Sequence, residues 1–161
     1  MNLFDSLTRL DGRIGRKQFW IGLAVIFGLL IFAIGALMAL FGLDVFDGPY
    51  SGDSLVGLAF GAVSVVVTVP VMLKRLHDLN RSIRLLIPSF IFEALSITGN
   101  LTGLTGTADD LSTAGYALLA VHGIYALALF IFLGFYRGTE GHNDFGADPL
   151  APEEIPASVS L

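Results

Sequence analysis

Three short polar segments hold most of the side chains able to do chemistry. They are Asp11-Gly12-Arg13-Ile14-Gly15-Arg16-Lys17-Gln18-Phe19-Trp20, Lys74-Arg75-Leu76-His77-Asp78-Leu79-Asn80-Arg81-Ser82, and Gly138-Thr139-Glu140-Gly141-His142-Asn143-Asp144-Phe145-Gly146-Ala147-Asp148-Pro149. Guanidinium forks at Arg13, Arg16, Arg75 and Arg81 can grip a phosphate or carboxylate bidentately, and His77 can carry a proton near neutral pH. With Asp78, Asn143 and Asp148 they form a candidate anion-binding set. The same residues suit a structural clasp, in which Asp78 and Asp148 neutralise arginines and glycine turns pin the loop and the tail. Arg13 and Arg16, three apart, would share one face of a helical lead-in, and Asp78 stands three or four residues from Lys74, Arg75 and Arg81. Zinc or manganese on His77, Asp78, His142 and Asp144 is chemically conceivable, but adjacent His and Asp on a helix do not readily aim at one ion, so no metal is expected. A second set lies in apolar sequence: Ser89, Glu93, Ser96 and Asn100 fall at i, i+4, i+7 and i+11, one helical face, and His122 interrupts another apolar run.

The elements that must position these groups are membrane helices. Of 161 residues, 54% are hydrophobic and only 14% charged, well below the soluble norm of roughly a quarter charged. Residues 19–43 form 25 consecutive uncharged residues, enough to cross about 30 Å of hydrocarbon and too long for a cleaved signal sequence. Further spans are expected at about 55–73, with Pro70 bending its end, at 85–101, the weakest, and at 111–135. All nine Lys and Arg fall before span one, between spans two and three, or after span four, while the opposite loops carry only Asp44, Asp47, Asp53, Asp109 and Asp110. The positive-inside rule then puts both termini in the cytoplasm. Residues 1–148 read as one all-α, four-span bundle, N-in and C-in, and 149–161, with three prolines, as a disordered cytoplasmic tail. With no Cys there is no disulfide or thiol nucleophile. No nucleotide-binding glycine pattern or metalloprotease motif is present, and the basic residues are accounted for by topology, so no nucleic acid is expected.

The polar segments resemble the YhaH-like family of small bacterial inner-membrane proteins, domain of unknown function 805. The likeness rests on Gly12, Arg13, Arg16, Phe19 and Trp20; on Arg75, Leu76, His77, Asp78, Arg81 and Ser82; and on Gly141, Asn143, Phe145, Gly146, Asp148 and Pro149. It covers about residues 12–149, with the spans in order. It implies a four-span inner-membrane protein, and the family label carries no established activity. Two positions depart from the pattern: Gln18 stands where an acidic residue is common, and Ile83-Arg84 where aromatic residues usually follow the serine.

Three functions of different class are compatible with these residues. The preferred one is an envelope accessory or regulatory protein whose cytoplasmic motifs bind a protein partner or anionic lipid headgroups. The second is a small transporter or channel, built as a homo-oligomer around Glu93 and His122, since ionisable groups inside a membrane need a partner or a wet cavity. An interhelical hydrogen-bonded strut is the plainer account of that pair. The third is an enzyme acting on a phosphorylated headgroup, with His77 as acid or base, and it ranks last because no nucleophile or metal triad accompanies it. No catalytic residue and no cofactor is assigned.

Overall fold

The structure, a computed structural model, describes residues 10–42, 55–106 and 110–151. Among them the chain is all-helical, with no strand: α1 (Arg16–Phe41), α2 (Leu55–Asp78), a 3-10 turn (Ile83–Leu85), α3 (Ile87–Leu101) and α4 (Thr113–Phe135). The expected acidic loop, except Asp110, and the tail beyond Ala151 lie outside the described residues.

Local chemistry sets the helix ends. Gly15, in extended backbone, precedes α1, and its N–H donates to Gln18 Oε1 at 3.0 Å. One donor of the first turn is thereby satisfied. At the far end Gly42, at φ 101°, leaves the helix while its N–H still reaches Met38 O at 2.9 Å. Asn80, at φ 53°, turns the chain after α2; Arg81 N–H donates to Leu76 O at 2.8 Å and Asn80 N–H to His77 O at 3.0 Å, the paired bonds of a Schellman ending. Ser112 Oγ caps α4 by accepting from Gly115 N–H at 3.1 Å.

The third expected span is the shortest: α3 has 15 residues, about 22 Å at 1.5 Å per residue. The expected start at residue 85 falls in the 3-10 turn, and a Thr/Gly hairpin follows the helix. In that hairpin Thr105 is buried, and a Cβ on Gly99 or Gly115 would lie 2.3 or 2.2 Å from Thr105 atoms. Only hydrogen at those two positions lets the end of α3 meet the start of α4.

Helix α1 packs on α2 and α4, α3 packs on α4, and α2 also touches α4. The buried core, including Ile14, Phe19, Leu23, Val71, Leu76 and Leu133, is drawn from the segment before α1, the first turns of α1 and the last turns of α2 and α4, so it gathers at the charged end. Toward the other end apolar side chains face outward: Phe32 is 75% exposed and Leu40 77%. Helices α1 and α4 are long and apolar enough to cross a membrane, and only 11% and 17% of their most apolar stretches are buried. A helix at the core of a soluble protein would be buried all round, and these two are not.

Trp20 locks α1 to α4. Its indole N–H donates to Gly134 O at 3.2 Å, and its ring meets Phe130 and Phe135 edge-on at 5.3 and 5.7 Å. A Cβ on Gly134 would lie 2.6 Å from the indole. Gly134→Ala is therefore expected to displace the ring and cost about 1–3 kcal/mol by overpacking. As Trp20 is the sole tryptophan, unfolding followed by its fluorescence in detergent checks this; an unchanged midpoint and emission maximum would refute it.

Candidate functional site

Two helix C-termini, α2 and α4, end side by side at the charged end, and each leaves backbone carbonyls without intrahelical partners. Arginines and the polypeptide after α4 fill that need. Arg75 Nε donates to Leu133 O at 2.7 Å and its Nη2 to Tyr136 O, while Nη1 pairs with Asp78 Oδ2 one turn along α2. A cation at this position also complements the negative end of the α4 dipole.

Arg13 approaches from the other side. Its Nη2 pairs with Asp78 Oδ1 at 3.1 Å and donates to Thr139 O; its Nη1 donates to Gly141 O at 2.6 Å and to Gly146 O at 3.1 Å. The side chains of Arg13, Arg75 and Asp78 are 1%, 0% and 5% exposed. Burial pushes the Asp78 carboxyl up from its ordinary range, against the guanidiniums of Arg75 and Arg13, which draw it down. Among the described residues no buried side-chain polar atom lacks a hydrogen bond.

The segment after α4 completes the clasp. Thr139 N–H and Oγ1 both donate to Asp78 O, at 2.8 and 3.0 Å. Asn143 Nδ2 donates to His77 O at 2.8 Å and to Thr139 Oγ1 at 2.7 Å, while its Oδ1 accepts from Phe145 N–H at 2.9 Å. Asn143 and Gly146 exchange backbone bonds at 3.1 Å around the Asp144-Phe145 turn. Asp148 accepts from the N–H groups of Leu150 and Gly141, both at 2.9 Å, and those two bonds hold its carboxyl below the ordinary range. His77 lies flat on Phe145, centroids 4.0 Å apart, with Nδ1 3.1 Å from Gly12 O. That carbonyl makes Nδ1 the donor. Burial nevertheless lowers His77 below its ordinary 6.5.

Of the expected anion-binding set, Arg13, Arg75, His77, Asp78, Asn143 and Asp148 are brought together. The helical lead-in does not form: Arg13 lies before α1 and is buried, whereas Arg16 begins the helix and is exposed, with Gly15 in extended backbone between them. Arg81 lies past the Schellman turn and is exposed, and the side-chain partners of Asp78 are Arg13 and Arg75 instead. Asp148 caps backbone amides, and among the described residues it forms no ion pair with a guanidinium. Among the described residues no group of three or more His, Asp and Glu is placed to hold a metal. Thr139 was not singled out by sequence, and neither was Gly138, whose Cβ would lie 2.0 Å from Asp78 Oδ2. Their position just beyond an apolar span was the available signal.

Beside the clasp is a cleft of about 540 Å³ walled by Gly15, Arg16, Arg137, Gly138, Thr139 and Glu140, among others. Arg137 and Glu140 form an ion pair there that is about three-quarters exposed (77% and 74%). Farther along the helices, Ser89, Glu93 and His122 line a groove with Ser64 and Thr68 of α2. His122 stacks on Phe92 at 5.2 Å. Ser96 is not in the groove lining, and the Asn100 side chain lies outside what is described.

The family model for a protein of unknown function, DUF805, matches residues 7–147. No curated protein and no solved structure matches the chain.

Two outcomes are expected of the clasp. Asp78→Asn keeps shape but leaves two buried guanidiniums uncompensated, which costs about 3–5 kcal/mol; Gly138→Ala displaces the same carboxylate sterically. Hydrogen exchange of residues 139–148 should accelerate in both, and unchanged protection would refute the clasp. Because the fold holds His77 below 6.5, its neutral form contributes stability that is present above that value and lost as pH falls through the lowered one. The unfolding midpoint should drop as pH falls below the ordinary histidine value of 6.5, with a flatter slope in His77→Gln.

Proposed function

The chain belongs to the DUF805 family, and we propose that it is an accessory or regulatory protein of the bacterial inner membrane whose charged end docks anionic lipid headgroups. It crosses the bilayer four times, with both termini in the cytoplasm. Support for this reading comes from the helices: α1, α2 and α4 each contain most or all of an apolar run, α2 continuing beyond its run to Asp78, and every described Lys and Arg belongs to the segments around the clasp. The 3-10 turn plus α3 reach roughly 28 Å, near a hydrocarbon thickness.

One observation carries the functional reading: the basic residues divide into two groups. Arg13, Lys74 and Arg75 are buried, and the two arginines are engaged with Asp78 and backbone carbonyls. Arg16, Lys17, Arg81, Arg84 and Arg137 are exposed around them. In the proposed topology this outer ring lies at headgroup level, where each Lys or Arg contributes about 1 kcal/mol to an anionic surface. A headgroup enzyme would need Arg13 and Arg75 open to phosphate, and their engagement weighs against that reading. An oligomeric transporter or channel is the second reading, favoured by the groove that gathers Glu93 and His122.

A fluorescent reporter fused after Pro149 is expected to be bright, as in the cytoplasm, and a phosphatase fused there inactive; the reverse would overturn the topology. Native mass spectrometry from nanodiscs should show the wild type keeping phosphatidylglycerol over phosphatidylcholine, and Arg81→Gln with Arg84→Gln lowering that preference by about 5-fold per charge. Absence of any preference, with a protein retained instead, would replace the lipid by a protein partner.

A further inference from the structure

The groove lined by Ser64, Thr68, Phe90, Glu93 and His122 has a volume of about 340 Å³ and walls from α2, α3 and α4. Thr68 lies seven residues before Arg75 on α2, and His122 eleven before Leu133 on α4. At 1.5 Å per residue the groove is on the order of 10–16 Å from the clasp, well into the apolar part of the bundle.

Its polar groups differ in how far they are satisfied. Thr68 Oγ1 donates to Ser64 O at 2.6 Å, and His122 lies against the face of Phe92. Glu93 has no hydrogen bond or ion pair among the described residues, and it is exposed. A carboxyl group at hydrocarbon depth is costly without a counter-charge or a hydrogen-bonding partner. The described Lys and Arg all belong to the polar segments or the residues beside them, so none of those lies near this depth. Phe90 and the aliphatic side chains of Val65, Val69, Met72 and Leu86 line the same groove, in which Glu93 is the one acidic group.

We propose that this groove is a binding site for an amphipathic organic cation, with Glu93 as the counter-charge and Phe90 and the aliphatic wall as the seat for its apolar body. A delocalised or quaternary cation suits the site, because it is cheap to dehydrate and gains from an aromatic face. An inorganic ion would need several oxygen ligands, and only Glu93 offers a carboxylate. The site rests on the proposed membrane topology but is separate from the headgroup contacts at the charged end, so cation binding and headgroup docking can each fail without the other.

The test is isothermal titration of the purified full chain in mild detergent with tetraphenylphosphonium, using uncharged triphenylphosphine oxide as the control. Saturable binding of the cation is expected, with at least about tenfold weaker affinity in Glu93→Gln, several-fold weaker in Phe90→Ala, and little binding of the control. Glu93→Gln nearly preserves shape, and an unchanged melting temperature would exclude misfolding as the cause. Equal affinity in Glu93→Gln, equal binding of the uncharged control, or no binding by the wild type would each overturn the proposal. So would a change of oligomeric mass in Glu93→Gln, which would make the groove a contact between copies of the chain.

Discussion

The Asp78 carboxylate, buried between the guanidiniums of Arg13 and Arg75, is the interaction on which the charged end depends. Each oxygen serves one arginine, and the remaining donors of those arginines go to carbonyls of α4 and of the segment after it. Burying three charges is expensive, and their mutual attraction offsets the cost only when every donor and acceptor is matched. Here matching requires that the segment before α1, the end of α2, the end of α4 and the chain after it be in place together. Removing one partner therefore exposes the cost of the others. This explains why residues so distant in sequence act as one unit.

The clasp also explains where packing is dense. The core residues lie within a few turns of Asp78, and Trp20 on Gly134 extends the contact between α1 and α4. Farther away the helices show Phe, Leu and Ile to their surroundings. In water such a surface would drive aggregation; in the bilayer of the proposed topology it is the solvated face, and the polar end supplies the specificity that apolar packing among lipid tails does not. Glu93 and His122 lie in the loosely packed part, where a side chain can remain open to a groove.

Burial thus separates two kinds of arginine. Those at 13 and 75 cap helix ends and balance Asp78, a structural task. Those at 16, 81, 84 and 137 are exposed, with Arg137 paired to Glu140, and in the proposed function this outer group faces the anionic surface. The same residue type performs both tasks because a guanidinium can satisfy several carbonyls when buried and still act as a long-range charge when exposed.

Much of the fold was legible in sequence. Uncharged runs marked α1, α2 and α4 to within a few residues, because the chain length able to stay apolar is a local property. The shortness of α3 was only hinted at by its Thr/Gly-rich end, since it depends on Thr105 packing onto Gly99 and Gly115. The polar motifs identified Arg13, Arg75, His77, Asp78 and Asn143 as a group, while Arg16 and Arg81 looked equivalent to them and are not. Gly15 and the Schellman turn at Asn80 send those two outward, and nothing in residue type reveals it. Thr139 and Gly138 were missed because a backbone carbonyl acceptor and a close approach have no side-chain signature. Sequence by itself determined the class of the protein, its apolar helices and the clustering of charge, which follow from composition and local periodicity. Tertiary structure alone decided which charges are satisfied internally and which remain outside, because that depends on where two helix ends meet in space.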